Sequence, residues 1–274
     1  MLGSELMTAF GSGTDVYETI GLDLPEIDIV LPESCRSAIG ELHPDVVINA
    51  AAFTRVDDCE SQRGIAMNVN GVGAGNLGAA ASAIGALFVH FSTDYIFDGR
   101  KPEGYLEDDE PDPVSVYGKS KLLGETLVRR HSSKHVIIRI SWLFGAGGVN
   151  FIRTIVNAAR KGNPLRVVND QHGSPTYTKD VAAQTLKMIE AGCHGTYHVT
   201  NGGDCTWYDL AVQAISWAKI PDVSITPVAS TEYPRPAPRP ASSILVDTRL
   251  EREGLPRLRS WREAAREYVE RHLL

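Results

Sequence analysis

Three short apolar runs, Val46-Val47-Ile48-Asn49-Ala50-Ala51-Ala52, Leu87-Phe88-Val89-His90-Phe91 and His135-Val136-Ile137-Ile138-Arg139-Ile140, constrain this chain of 274 residues more than any other feature. A run with almost no polar alternation suits a strand buried on both faces, as in a parallel sheet covered by helices. Residues 66–85 between the first two runs are rich in Ala and Gly, small residues that let a helix lie close against a sheet. The alternation predicts an α/β protein in which strands ending at Ala52, Ser92 and Ser141 are parallel neighbours, the first of them central. Ligands of such sheets bind beyond the carboxyl ends of the strands where the winding reverses, and Asn49, Thr54, Ser92, Thr93 and Ser141 gather there.

Towards the start, residues 2–10 suit a helix ended by Gly11 and Gly13, and residues 16–22 suit a strand. After Gly145 the character changes. Residues 150–161 read as a helix, Leu165-Arg166-Val167-Val168 as a strand, 170–176 as a turn, and Thr196-Tyr197-His198-Val199 as a later strand. Helices over 207–219 and 260–273 follow, the last with an apolar stripe of Leu258, Trp261, Ala265, Tyr268 and Leu273 that packs inward. The expected division is a dinucleotide-binding domain over 1–145 and a mainly substrate-binding lobe over 146–274, with some segments returning to the first domain.

The chemistry is suggested by Tyr117 and Lys121, four residues apart and therefore on one face of a helix. An ammonium beside a phenol makes its proton easier to give up, and a tyrosine so placed acts as acid or base toward a carbonyl. Thr93, at the end of the second run, is placed to hydrogen-bond the same oxygen. Tyr-x-x-x-Lys alone is a weak pattern. Strand, Ser/Thr, loop, Tyr-x-x-x-Lys helix and strand in that order is a much more specific one.

The net charge of −7 leaves no basic stripe for sequence-independent nucleic-acid binding. Cys35, Cys59, Cys193 and Cys205 form no Cys-x-x-Cys pair and read as reduced, mostly structural thiols. No run has the length to cross a bilayer and the start lacks a signal-peptide pattern, so a cytoplasmic protein is expected. The run from Pro234 to Pro240 reads as a rigid connector.

The quoted segments, with Ser92-Thr93-Asp94-Tyr95, Tyr117-Gly118-Lys119-Ser120-Lys121, Ser141-Trp142, Asp170-Gln171 and Arg239-Pro240-Ala241, resemble the extended short-chain dehydrogenase/reductases over almost the whole chain. The resemblance implies a Rossmann-like doubly wound parallel sheet with a smaller α/β substrate-binding lobe. It implies NADPH- or NADH-dependent reduction of the 4-keto group of a dTDP-linked 6-deoxyhexose, giving dTDP-L-rhamnose for cell-surface polysaccharide. Carried over by position, Thr93, Tyr117 and Lys121 are catalytic, and Tyr117 and Lys121 also touch the cofactor. Met1, Leu2, Gly3, Ala50, Ala51, Ala52, Thr54 and Asn70 line the cofactor, Asp28 and Ile29 flank its adenine, and Trp142 with Thr93 and Tyr117 contacts the sugar. Asp23 would accept ribose hydroxyls and disfavour a 2′-phosphate. The assembly is expected to be a monomer or homodimer.

Two departures from the family pattern carry expectations. The usual first strand and most of a glycine-rich turn are missing ahead of Gly3, so the chain is expected to begin at an internal methionine, at a cost of roughly 1–3 kcal/mol per backbone group left unpaired in the sheet. Glu5 matches one glutamate of a magnesium site found in some members, but Lys179 stands where a second is needed, and no metal site is expected. Two rival functions stand beside reduction. A nucleotide-sugar dehydratase needs a further acid/base pair, for which such enzymes have Asp-Glu where this chain has Asp94-Tyr95. A non-catalytic subunit, like the regulatory subunit of methionine adenosyltransferase, would have no need of Thr93, Tyr117 and Lys121.

Overall fold

A computed structural model describes residues 1–11 and 16–274. Helix α1 (Leu2–Gly11) opens the chain as expected, with Leu2, Leu6 and Phe10 turned inward; Gly13 lies outside the described residues. Helix α2 (Pro32–Leu42) follows, with proline in its first turn, and leads into strand β1 (Val46–Asn49). Next come α3 (Val56–Ser61), α4 (Arg63–Ala66), a π-helical turn over Met67–Gly73 and α5 (Ala74–Ala83). Strand β2 (Leu87–Thr93), helix α6 (Val116–His131) and strand β3 (His135–Ile140) complete the first half.

The second half contains β4 (Leu143–Phe144), α7 (Phe151–Arg160), β5 (Leu165–Val168), β6 (His172–Gly173), β7 (Thr176–Tyr177) and α8 (Thr178–Glu190). It continues with β8 (Gly195–His198), β9 (Cys205–Thr206), α9 (Trp207–Trp217), β10 (Ile225–Val228), α10 (Arg249–Arg252) and α11 (Trp261–His272). The main sheet has the order β1-β2-β3-β8, all parallel. β8 thus comes from the second half and joins β3, while β5 and β10 pair in a small separate sheet.

Two expectations are corrected. The run beginning at Val46 is an edge strand, not a central one, and it ends at Asn49, with Ala50, Ala51 and Ala52 in the loop beyond. Residues 16–22 form no strand and leave Val16, Ile20 and Leu22 exposed. The two outcomes have one cause: an isolated segment cannot satisfy its backbone as a strand, and no strand among the described residues lies alongside β1 on that side to pair with it.

One core joins α1 and α8 to one face of the sheet through Phe10, Val89, Ile138 and Tyr197. Another joins α2 and α5 to the other face through Ile39, Leu77, Phe88 and Ile137. The second half has its own core around Phe144, Leu210, Trp261 and Tyr268. Helix α6 packs closely on α5 and on the π-helical turn because it carries glycine at the contacts. A Cβ on Gly124 would run into the Asn70 carbonyl, in the middle of that turn. We expect Gly124→Ala to destabilise the protein by about 1–3 kcal/mol, read as a lower denaturation midpoint with an unchanged m-value.

Candidate active site

Thr93 and Tyr117 meet because β2 ends where α6 begins. The Ser115 hydroxyl caps α6 by accepting from the Gly118 amide (3.1 Å), and the Val116 amide donates to Glu60 Oε1 (2.8 Å). Gly118 has no room for a Cβ, which would strike the Tyr95 carbonyl, so the first helical turn lies directly on the residue that follows Thr93-Asp94. The Tyr95 and Tyr117 rings meet edge to face, 5.7 Å between centroids. The Thr93 hydroxyl lies close enough to the Tyr117 phenol to act on it.

Thr93 is held from behind. Its hydroxyl donates to Asp94 Oδ1 (2.9 Å) and accepts from the Tyr95 amide (3.2 Å), while Ser141 Oγ donates to Asp94 Oδ2 (2.8 Å). Burial raises the Asp94 carboxyl above its ordinary value, opposed by hydrogen bonds from Ser243, Ser141 and Thr93.

The expectation that Lys121 draws the Tyr117 phenol toward neutrality is not met. Burial raises the phenol well above its ordinary value, Asp94 and Tyr95 push the same way, and the neighbouring Thr93 hydroxyl opposes. Lys121 does share the Tyr117 face of α6, but its ammonium donates to the Phe91 carbonyl on β2 (2.6 Å). Burial pushes Lys121 down to about 8, with Glu125 working against the shift.

Beneath these residues is an ionic network that sequence reasoning missed. Arg139 Nε and Nη2 grip Glu125 Oε1 and Oε2 (3.0 and 2.9 Å), and Arg129 Nη2 adds a third bond to Oε2 (2.7 Å). Arg139 Nη1 donates to the Glu107 carbonyl (3.0 Å) and lies 3.4 Å from His198 Nε2. The guanidiniums of Arg139 and Arg129 outweigh burial and hold Glu125 down at about 2, whereas burial and Arg139 push His198 down to about 4. A signal was available: an arginine inside an otherwise apolar parallel strand must have a buried acidic partner.

Beyond β1, a strip of small residues is open. Ala50, Ala51 and Thr54 are exposed and Ala52 half-buried, and a Cβ on Gly3 would come within 3.7 Å of the Ala50 Cβ, so the first turn of α1 borders the strip. Met1 lies against Gly148, and Leu2 is buried in the core shared by α1 and α8. Asn70 is buried and fully engaged: Oδ1 accepts from the Phe53 amide (2.7 Å), and Nδ2 donates to the Phe53 carbonyl (3.0 Å) and to Ser120 Oγ (2.9 Å). It therefore clamps the strip to α6. Asp28 accepts from the Val30 amide (3.0 Å), and the loop carrying Asp28 and Ile29 is tied to α5 by Asn76, which donates to the Ile29 and Val30 carbonyls (3.0 and 3.1 Å). Asp23 is exposed and accepts from the Leu24 amide (2.8 Å).

Trp142 adopts a left-handed backbone conformation (φ 44°) and stacks on Trp207 with 3.5 Å between centroids, while Gly173 sits against its indole with no room for a side chain. The proline-rich run is a strap: Arg235 Nε (3.0 Å) and Arg239 Nη1 (2.6 Å) both donate to Asp57 in α3, and Arg239 also hydrogen-bonds Tyr95. Lys179 pairs with Glu267 (2.8 Å), and among the described residues no group of three or more His, Cys, Asp or Glu is arranged to hold a metal ion. All four cysteines are free and buried.

A family model described as the RmlD substrate binding domain matches residues 1–274. The spore coat polysaccharide biosynthesis protein SpsK of Bacillus subtilis (strain 168) is 44% identical over 254 residues, spanning 93% of this chain and 89% of its own length. A dTDP-4-dehydrorhamnose reductase from Burkholderia thailandensis is 39% identical over 264 residues, spanning 90% and 88% of the two chains. The crystal structure of dTDP-4-dehydrorhamnose reductase from Bacillus anthracis in complex with NADP superposes with a TM-score of 0.94 at 35% identity, over 98% of this chain and 95% of that one.

Two outcomes are expected of the site. Asn70→Ala removes the clamp on Phe53, costs about 1–3 kcal/mol and speeds hydrogen exchange at the Phe53 amide. Lys121 titrates at about 8 in the fold against 10.5 as its ordinary value. Over that window the unfolded chain binds the extra proton, so this residue makes stability rise with pH from about 8 to 10.5. The rise should be absent from denaturation curves of Lys121→Met.

Proposed function

We infer, because the chain belongs to the family whose model is described as the RmlD substrate binding domain, that it reduces the 4-keto group of dTDP-4-dehydro-L-rhamnose to dTDP-L-rhamnose with NADPH or NADH. It is an oxidoreductase of nucleotide-sugar biosynthesis. The observation that carries the reading is the meeting of Thr93, Tyr117 and Lys121 at the carboxyl end of β2, next to an open strip of alanines.

The strip fits a dinucleotide. Ala50, Ala51, Ala52 and Thr54 present little bulk, and the first amides of α1, at Leu2 and Gly3 beside Met1, lack helical acceptors and suit a phosphate. In this reading Asp28 and Ile29 flank the adenine, and Asn70 acts by clamping the strip. The dinucleotide supplies a hydride when bound. The protein's own contribution is a proton: the Tyr117 phenol gives its proton to the sugar oxygen as that oxygen gains charge, and Lys121, on the same face of α6, would hold the nicotinamide ribose beside it. The high affinity of Tyr117 for its proton keeps it in the acid form until then. Thr93, whose own proton is directed to Asp94, borders the place of the sugar oxygen beside Tyr117. Trp142, at the border of the second lobe (residues 146–274) and stacked on Trp207 of that lobe, offers an indole edge to the sugar.

Asp94 argues against the dehydratase alternative. Its carboxyl is buried and occupied by hydroxyls from Thr93, Ser141 and Ser243, and a tyrosine stands where the second acid would be needed. We place the enzyme in the cytoplasm, where reduced nicotinamide is available, as a monomer or homodimer without nucleic-acid partners. Among the described residues no helix is long and apolar enough to cross a membrane.

The test is oxidation of NADPH and of NADH by the purified protein with dTDP-4-dehydro-L-rhamnose generated in place. Tyr117→Phe should lower kcat by about 10²-fold or more. Recycling of cofactor without net consumption would instead support a dehydratase, and absence of any turnover a binding subunit. Trp142→Ala should raise KM for the sugar nucleotide more than it lowers kcat.

A further inference from the structure

The spacing that joins Tyr117 to Lys121 continues one step further along the same helix. Glu125 stands four residues beyond Lys121, so the three side chains rise along one face of α6. Tyr117 is partly exposed, Lys121 keeps 3% of its surface and Glu125 none. Lys121 and Glu125 come up beside adjacent residues of β2: the ammonium donates to the Phe91 carbonyl (2.6 Å), and the carboxylate lies next to Ser92.

A dry ammonium with a single carbonyl partner tends to lose its proton unless a negative charge lies close by. The other titratable groups around Lys121 cannot supply one. His90 on β2 is held neutral by burial, and Arg139 on β3 and Arg129 on α6 are cations that engage Glu125 itself. Glu125 is thus the one carboxylate that acts on Lys121 from within this group. The bidentate grip of Arg139 fixes its position and ionised state. A buried ion pair often adds little net stability over apolar packing of the same volume, so its distinctive effect here is on its neighbour's charge.

We propose that Glu125 is a positioning residue for Lys121, keeping the ammonium charged inside the protein while Arg139 holds Glu125 in place. The consequence for catalysis rests on the reading of Lys121 given above.

The test is the pH dependence of kcat for the full enzyme between about pH 6 and pH 10. In Glu125→Gln the loss of activity at high pH should begin about one pH unit lower than in the parent, and Glu125→Asp, which retains the charge, should restore it. Because glutamine strands a buried guanidinium, Glu125→Gln/Arg139→Met serves as the second variant; it neutralises both partners and should keep the displaced profile. A readout independent of turnover is the pH at which the stability gain due to Lys121 sets in, taken as the difference from Lys121→Met in each background. It too should move down when Glu125 is neutralised. A folded variant whose activity profile and stability onset both coincide with the parent's overturns the proposal. A parent without turnover, but with a displaced onset in the variants, refutes the catalytic reading alone.

Discussion

The pairing of Glu125 with Arg139 holds together elements that are far apart in the chain. Glu125 belongs to the helix that carries Tyr117 and Lys121, and Arg139 to the strand beside the one that delivers Thr93. Arg139 then reaches on to the Glu107 carbonyl and to His198 on β8, while the Glu107 carboxylate receives the Thr248 and Arg249 amides (3.0 and 3.2 Å). Both ions are dry, so neither tolerates loss of the other. Helix α6 cannot slide along β2 without breaking a bidentate contact, and the Tyr117–Thr93 alignment depends on that registry.

Close approach of backbones serves the same end by different means. Gly118 lets the start of α6 touch Tyr95, and Gly124, six residues on, lets it touch the Asn70 carbonyl. The π-helical turn that carries Asn70 places its amide where it can bind both polar groups of Phe53. The strip beyond β1 is therefore fixed from its far end, by a side chain that is itself buried.

Much of this was legible in the sequence, and the reasons are local. Runs such as Leu87-Phe88-Val89-His90-Phe91 announce parallel strands through their lack of alternation, and Tyr117 and Lys121 share a helical face by arithmetic alone. What failed depended on neighbours. Residues 16–22 have strand-like composition but no partner, and the Val46 run has the composition of a central strand while lying at an edge. The sign of the Tyr117 shift failed for the same kind of reason: spacing places an ammonium on the right face, but only packing shows that burial dominates and that the ammonium is engaged with Phe91. Spacing also gives no hint that Asn70 points its amide at Phe53, seventeen positions away.

The placement of β8 bears on how the molecule is made. It is the fourth strand of a sheet whose other members end by Ile140, yet it is encoded at Gly195–His198, after most of the smaller lobe's first elements. During synthesis β3 waits with one edge open, and Arg139 without its His198 neighbour, until more than fifty further residues have emerged. The two halves therefore mature together, and the surface that carries the proton donor is finished by a segment that a cut after the first three strands would discard.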